Sequence, residues 1–171
     1  MSIKPLCSTG EYPQIYDIKP NTYYGKILTN SFAGKASEFS AIGQYIYHNI
    51  VLRDEHPDIS KTLQAIAICE MHHLKLLGNL MTSLGVLPKY FYYSGFGMHS
   101  QCWNGSFVNY GKSIEEMIKF DIESEEKAIT QYHETIDLIK DCQINKLIEH
   151  IIEDEKLHLT ALNEIMISLS K

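Results

Sequence analysis

Two short patterns, each written twice, constrain this chain more than any other feature. Glu38-x-x-Ala41-Ile42-x-Gln44-Tyr45 returns as Glu125-x-x-Ala128-Ile129-x-Gln131-Tyr132, and Glu70-x-x-His73-Leu74-x-x-Leu77 returns as Glu155-x-x-His158-Leu159-x-x-Leu162. The chain reads as two copies of one helical hairpin. A residue repeated by duplication can simply be inherited, so the repeat alone establishes architecture. Where the ionisable residues fall against the hydrophobic pattern decides their chemistry.

Apolar residues recur at helical spacing in four long segments, near 22–54, 60–84, 114–140 and 143–169, after an N-terminal extension over 1–21. His56-Pro57-Asp58 separates the first from the second, Gly85 and Pro88 stop the second, and Ser113-Ile114-Glu115-Glu116 reads as a capping box opening the third. The link around Asp141-Cys142 is so short that the last two helices must turn back on each other, as the first two do. The expected fold is all-α: a four-helix bundle of two antiparallel hairpins joined by a long crossover, Val86 to Lys112. That crossover is rich in Gly and aromatics (Tyr90, Phe91, Tyr92, Tyr93, Phe96, Trp103, Phe107, Tyr110). They are read first as packing on the bundle's flank or a subunit contact, and second as a substrate channel.

In the fourth segment the inward stripe runs Ile144, Ile148, Ile151, Glu155, His158, Leu162, Ile165, Leu169. The second does the same with Leu63, Ile66, Glu70, His73, Leu77, Leu80, Leu84. The first places Glu38, and the third Glu125, in comparable rows that end on Tyr45 and Tyr132. Each pair of glutamates lies at similar distances either side of its turn, so at about 1.5 Å per residue all can meet near mid-bundle. Four buried carboxylates cannot stay ionised together uncompensated, and two divalent cations would cancel their charge. Glu and His at i and i+3 share a helix face, so one turn offers an oxygen to a bridging position and a nitrogen to one metal. The candidate metal ligands are therefore Glu38, Glu70, His73, Glu125, Glu155 and His158, holding two iron or two manganese ions.

Tyr45 and Tyr132 are candidate catalytic residues whose phenols can hydrogen-bond a ligating carboxylate, or are core tyrosines satisfied elsewhere. Asp121, one turn before Glu125, is read as a partner of a ligand histidine or as an extra ligand. His72 and His133 fall off the stripes, whereas His48 is on one, as an outer partner or a satisfied core histidine. Glu123, Glu126, Glu153 and Asp154 are assigned to a solvated face or cleft rim, and Cys69 points away from Glu70.

With these residues in place the chain resembles the rubrerythrin, manganese catalase and bacterioferritin branch of the ferritin-like superfamily. The resemblance covers roughly residues 25–169 and implies redox chemistry on hydrogen peroxide, dioxygen or ferrous iron at paired metals. It places catalase or peroxidase chemistry first, ferroxidase or iron handling second, and a structural assembly with a stabilising metal third. Rubrerythrins add a carboxylate one turn beyond the third-helix ligand and a rubredoxin domain; here that position is Ala128, and no cysteine pair exists to hold a rubredoxin iron. Manganese catalases match the glutamate-rich set without an external reductant. In them the carboxylate matching Glu155 either ligates or hydrogen-bonds.

A net charge of -6 and pI near 5.7 argue against nucleic acid as a partner, since phosphate binding needs clustered Lys and Arg. No apolar run reaches the length of a membrane span and the start has no secretory pattern, so no membrane is expected and the cytoplasm is. Cys7, Cys69, Cys102 and Cys142 are scattered, and reduced thiols are expected of them. A homo-oligomer is expected.

Overall fold

The computed structural model of the chain describes residues 3–94 and 99–170; Phe96 of the crossover lies outside them. The helices are α1 (Thr22–Ala33), α2 (Glu38–Leu52), α3 (Pro57–Ser83), α4 (Ile114–Leu138) and α5 (Cys142–Leu169). They form a four-helix bundle in which the first column is α1 and α2 end to end.

That column is the main departure from the sequence reading, which expects one helix over 22–54. Gly34 leaves helical geometry at φ -80°, ψ -166°, and Ser37 starts the next helix as its N-cap. Both the Ser37 and Ser40 hydroxyls donate to the Gly34 carbonyl, at 2.8 and 2.9 Å, so the break is held by side chains from the following turn. A Cβ at Gly34 would come within 2.5 Å of the Asn30 carbonyl oxygen, which only glycine avoids. The break makes Glu38 the first residue of α2, where helix-terminal N–H groups favour a carboxylate.

The buried apolar residues divide into two clusters. One holds Leu28, Leu77, Leu84, Tyr132, Ile148 and Ile151, with others between α1 and α5. The other holds Ala41, Leu63, Ile66, Ile118 and Leu162. Between these layers, on each column, lie the repeated glutamates and histidines. The apolar layers supply the free energy of folding, roughly 25 cal/mol per Å² removed from water, and so hold a polar layer that is costly to bury.

The crossover contains an antiparallel hairpin, β1 (Phe91–Ser94) with β2 (His99–Cys102), and a 3₁₀ turn at Gly105–Phe107, none of which the hydrophobic pattern signals. It packs on the flank made by α1 and α2. The Tyr90 ring stacks on Phe39 at 4.2 Å, Trp103 meets Phe39 edge-on, and the Trp103 indole donates to Ser40 Oγ at 3.0 Å. The N-terminal extension also lies against the bundle: Leu6 N–H donates to the Ala65 carbonyl at 3.0 Å, and Tyr12, Ile15 and Ile18 pack on the first apolar cluster. Cys7 and Cys69 form a disulfide, Cα atoms 5.9 Å apart, contrary to the expectation of reduced thiols. Their separation of 62 residues leaves no local spacing that would announce the pair. No helix among the described residues is long and apolar enough to cross a membrane.

Candidate metal centre

All six predicted ligands arrive in one buried layer, each no more than 3% exposed. Their donor atoms fall into two groups, Glu38, Glu70, His73 and Glu155, and Glu70, Glu125, Glu155 and His158, with the atoms of each group within 4.8 Å of one another. Glu70 and Glu155 belong to both. The arrangement has the shape of two adjacent sites with two shared carboxylates, one terminal carboxylate each and one imidazole each.

The histidines show how the sites are aimed. His73 Nδ1 lies 2.9 Å from Glu70 Oε2 and 3.4 Å from Glu155 Oε1, and its Nε2 is 3.0 Å from Asp154 Oδ2. His158 Nδ1 lies 3.1 Å from Glu155 Oε2 and 3.2 Å from Glu70 Oε1, while its Nε2 donates to the Leu6 carbonyl at 2.7 Å. Both rings point Nδ1 inward and anchor Nε2 outward. An Nε2–H bond of this kind selects the tautomer that leaves the other nitrogen free to ligate.

Burial raises the carboxyls of Glu38 and Glu125 well above the usual range, helped by the charges of Glu70 and Glu155. Burial pushes Glu70 and Glu155 the same way, but the two imidazoliums and their hydrogen bonds outweigh it and both are lowered. The imidazoles would be lowered by burial, yet the surrounding carboxylates raise both. Without metal, these directions favour protons on the terminal carboxyls and the imidazoles, and bound cations would displace them. Glu155 Oε1 is buried without a hydrogen-bond partner of good geometry, an orphaned acceptor facing the layer. The donor set and this orphan fit a pair of hard or borderline divalent ions.

The tyrosines are crossed between the halves. Tyr45 on α2 donates to Glu125 on α4, and Tyr132 on α4 donates to Glu38 on α2. Each phenol is buried and raised, first by that burial and then by the carboxylate it faces. They brace the terminal carboxylates.

Two sequence assignments are corrected. Asp121 reaches neither a ligand histidine nor the ligand groups; it accepts from Gln44 Nε2 at 2.8 Å and lies 2.9 Å from His48 Nδ1. His48 Nε2 donates to the Asn109 carbonyl at 3.0 Å, so this buried pair ties the crossover to α2 and α4. Asp154 is not on a solvated face: it is fully buried, meets His73, and accepts from Ser8 N–H and from the Tyr12 hydroxyl. These bonds outweigh the effect of its burial and hold it below the usual carboxylate range. Its signal was the repeat itself, since Asp154 precedes Glu155 as Cys69 precedes Glu70. His72, His133, Glu126 and Glu153 are exposed as expected, and Glu123 is half-buried.

A small cavity of about 10 Å³, about one water's worth, sits beside the layer, lined by the four glutamates with Ala36, Ser124 and Ala128 among others. An open cleft of about 610 Å³ between α2 and α4 shares Ala36 and Ser124 with it.

In overall fold the chain is similar to a manganese catalase from Anabaena: TM-score 0.82, 24% identity, with 96% of this chain and 80% of that one covered. It is also similar to the bacterioferritin of Rhodobacter capsulatus (TM-score 0.74, 20% identity, 90% and 89% covered) and to that of Desulfovibrio desulfuricans (0.72, 24%, 88% and 84%). Among curated protein sequences nothing matches. The family model described as Rubrerythrin matches residues 26–166, a span that takes in every repeated Glu, His and Tyr of the layer, and the chain belongs to the rubrerythrin family.

Proposed function

We propose that this protein is an oxidoreductase acting on hydrogen peroxide at a dinuclear iron or manganese centre, with Glu38, Glu70, His73, Glu125, Glu155 and His158 as ligands. The observation that carries the reading is the pair of four-residue groups sharing Glu70 and Glu155, with one buried Glu155 oxygen left without a hydrogen-bond partner. Bound there, such metals supply the capacity to polarise an O–O bond and exchange electrons with it. Glu70 and Glu155 hold the two positions at a fixed separation, and His73 and His158 set one nitrogen on each. Tyr45 and Tyr132 steady the terminal carboxylates and can give or take the proton on Glu125 Oε1 and Glu38 Oε1. The apolar layers above and below exclude water, while the one-water cavity behind Ala36 and Ser124 favours a substrate as small as peroxide.

The catalase form needs no electron donor, and Ala128 stands where rubrerythrins carry their added carboxylate. Ferrous-iron oxidation is a second reading, supported by Glu123, Glu126 and Glu134 along the cleft, which give cations a polar approach. Metal analysis of protein purified without added metal, followed by oxygen release from hydrogen peroxide, separates them. Two manganese ions with rapid oxygen release are expected. Iron without oxygen release moves the assignment to peroxidase or ferroxidase chemistry, and failure to take up either metal removes the enzymatic reading and leaves a structural bundle.

A further inference from the structure

The inner layer obeys the repeat, but the ring of hydrogen bonds around it does not. Asp154, immediately before Glu155, receives the Nε2–H of His73 on the other EXXH helix, 3.0 Å away. The residue in the same place before Glu70 is Cys69, which offers no comparable acceptor to His158. Cys69 is instead bonded to Cys7, and the carbonyl next to Cys7, that of Leu6, receives the Nε2–H of His158 at 2.7 Å. The cysteine at the aspartate's place in the repeat, its Sγ 3.6 Å from His73 Nε2, thus brings in through its disulfide the segment whose carbonyl serves His158. The same strap reaches the other half: Ser8 N–H and the Tyr12 hydroxyl, the latter at 2.7 Å, both donate to Asp154.

Building on the dinuclear reading above, we infer that the segment Leu6–Tyr12 is a positioning element of the metal centre, latched by Cys7–Cys69. Leu6 fixes the ligating tautomer of His158 directly, and Ser8 and Tyr12 fix that of His73 through Asp154. Besides the disulfide, the strap meets α3 through the backbone bond of Leu6 to Ala65, the packing of Leu6 on the cluster of Leu63 and Ile66, and the edge contact of Tyr12 with His73. An external dithiol opens the latch: the Cys7 Sγ–Cys69 Sγ bond accepts two electrons and two protons, two thiols form, and the dithiol leaves as a disulfide. With the latch open, His158 loses its outer acceptor and metal is held less tightly.

The test uses the full chain loaded with manganese(II), and reads metal release to a chelator before and after treatment with tris(carboxyethyl)phosphine, which performs the same two-electron reduction. Release is expected to accelerate by about tenfold on reduction, the lower end of what loss of a ligand's outer hydrogen bond costs in metal affinity. C7S/C69S is expected to release fast regardless of reductant. Y12F, which removes a donor to Asp154 and leaves the disulfide in place, is expected to speed release from oxidised protein with the melting temperature unchanged, an effect that a merely structural disulfide would not give. Equal rates from oxidised and reduced wild type, or release from Y12F as slow as from wild type, would overturn the inference. A parallel measurement needs no metal: reduction should speed hydrogen exchange at the Leu6 and Ser8 amides, and unchanged protection sinks the latch. If the chain binds no manganese, the dinuclear reading fails, and the exchange measurement alone decides whether the latch stands.

Discussion

The two hairpins of this bundle, α1–α3 and α4–α5, are nearly equivalent at their shared centre and unlike one step outside it. Inside, Glu38 answers Glu125, Glu70 answers Glu155, His73 answers His158, and the tyrosines exchange partners symmetrically. Outside, α5 carries Asp154 where α3 carries a disulfide-bonded cysteine, α4 carries Asp121 where the first column is broken at Gly34, and Gln44 and Gln131 bond unrelated partners. The difference separates two demands. Charge balance and ligation act on the inner groups and require the same atoms in both halves, whereas the outer bonds need only an acceptor or donor in the right place, which a backbone carbonyl supplies as well as a carboxylate.

The largest expected effect falls on the shared residues. Glu70→Ala should abolish binding at both positions, because it removes a donor common to the two groups and leaves His158 without its principal carboxylate. Metal content by mass spectrometry checks this, and retention of one full equivalent would show that the two groups are independent. Asp154→Ala, acting on one imidazole through its outer nitrogen, should weaken binding by about 10- to 100-fold with the fold intact. A loss confined to one metal would sharpen the contrast between the halves, and no loss would break it.

Protonation offers a test of the inner symmetry as a whole. Loading divalent ions at neutral pH should release protons into weakly buffered solution, and affinity should therefore fall as pH falls. In metal-free protein, His73 and His158 are raised above the ordinary 6.5 and Glu38 and Glu125 above 4.5. Groups raised on folding stabilise the fold below their unfolded values and lose that contribution as pH climbs through the folded ones. The melting temperature of the metal-free form should thus drop on going from neutral to alkaline pH, and the loaded form should resist. Loading without proton release would mean that the carboxyls and imidazoles of the layer are already deprotonated in the metal-free protein.

Smaller still, Tyr45→Phe and Tyr132→Phe should each weaken binding alike and by less than about tenfold, each removing one bond to a terminal carboxyl worth about 0.5–1.5 kcal/mol. Unequal effects would show that the asymmetry reaches inward. Glu126→Ala, on the exposed face, should leave metal content unchanged. A loss there equal to that of Glu125→Ala would mean that α4 is in a different register.

What could be read from the chain alone follows the same division. The helices and the six inner residues announce themselves because ionisable groups interrupt apolar stripes at helical spacing, twice. Asp154 was misplaced because its neighbours Glu153 and Lys156 are solvated, and its own burial comes from Ser8 and Tyr12, far away in the chain. Asp121 was rightly placed inside but given the wrong partner, since nothing local reveals that His48 and Gln44 lie opposite. The break before Glu38 rests on Gly34 and Ser37, a stop and an N-cap visible as residue types but hidden within a continuous apolar pattern.

The crossed tyrosines carry a consequence for assembly. Each hairpin provides the phenol that secures the other hairpin's carboxylate, so neither can mature separately: alone, each would hold a phenol with no acceptor and a buried carboxyl with no donor. Interlocked in this way, the halves must dock before either is finished, and the layer should form in one cooperative step. Cutting the chain within the crossover and mixing the two pieces should yield metal binding from the pair and none from either piece.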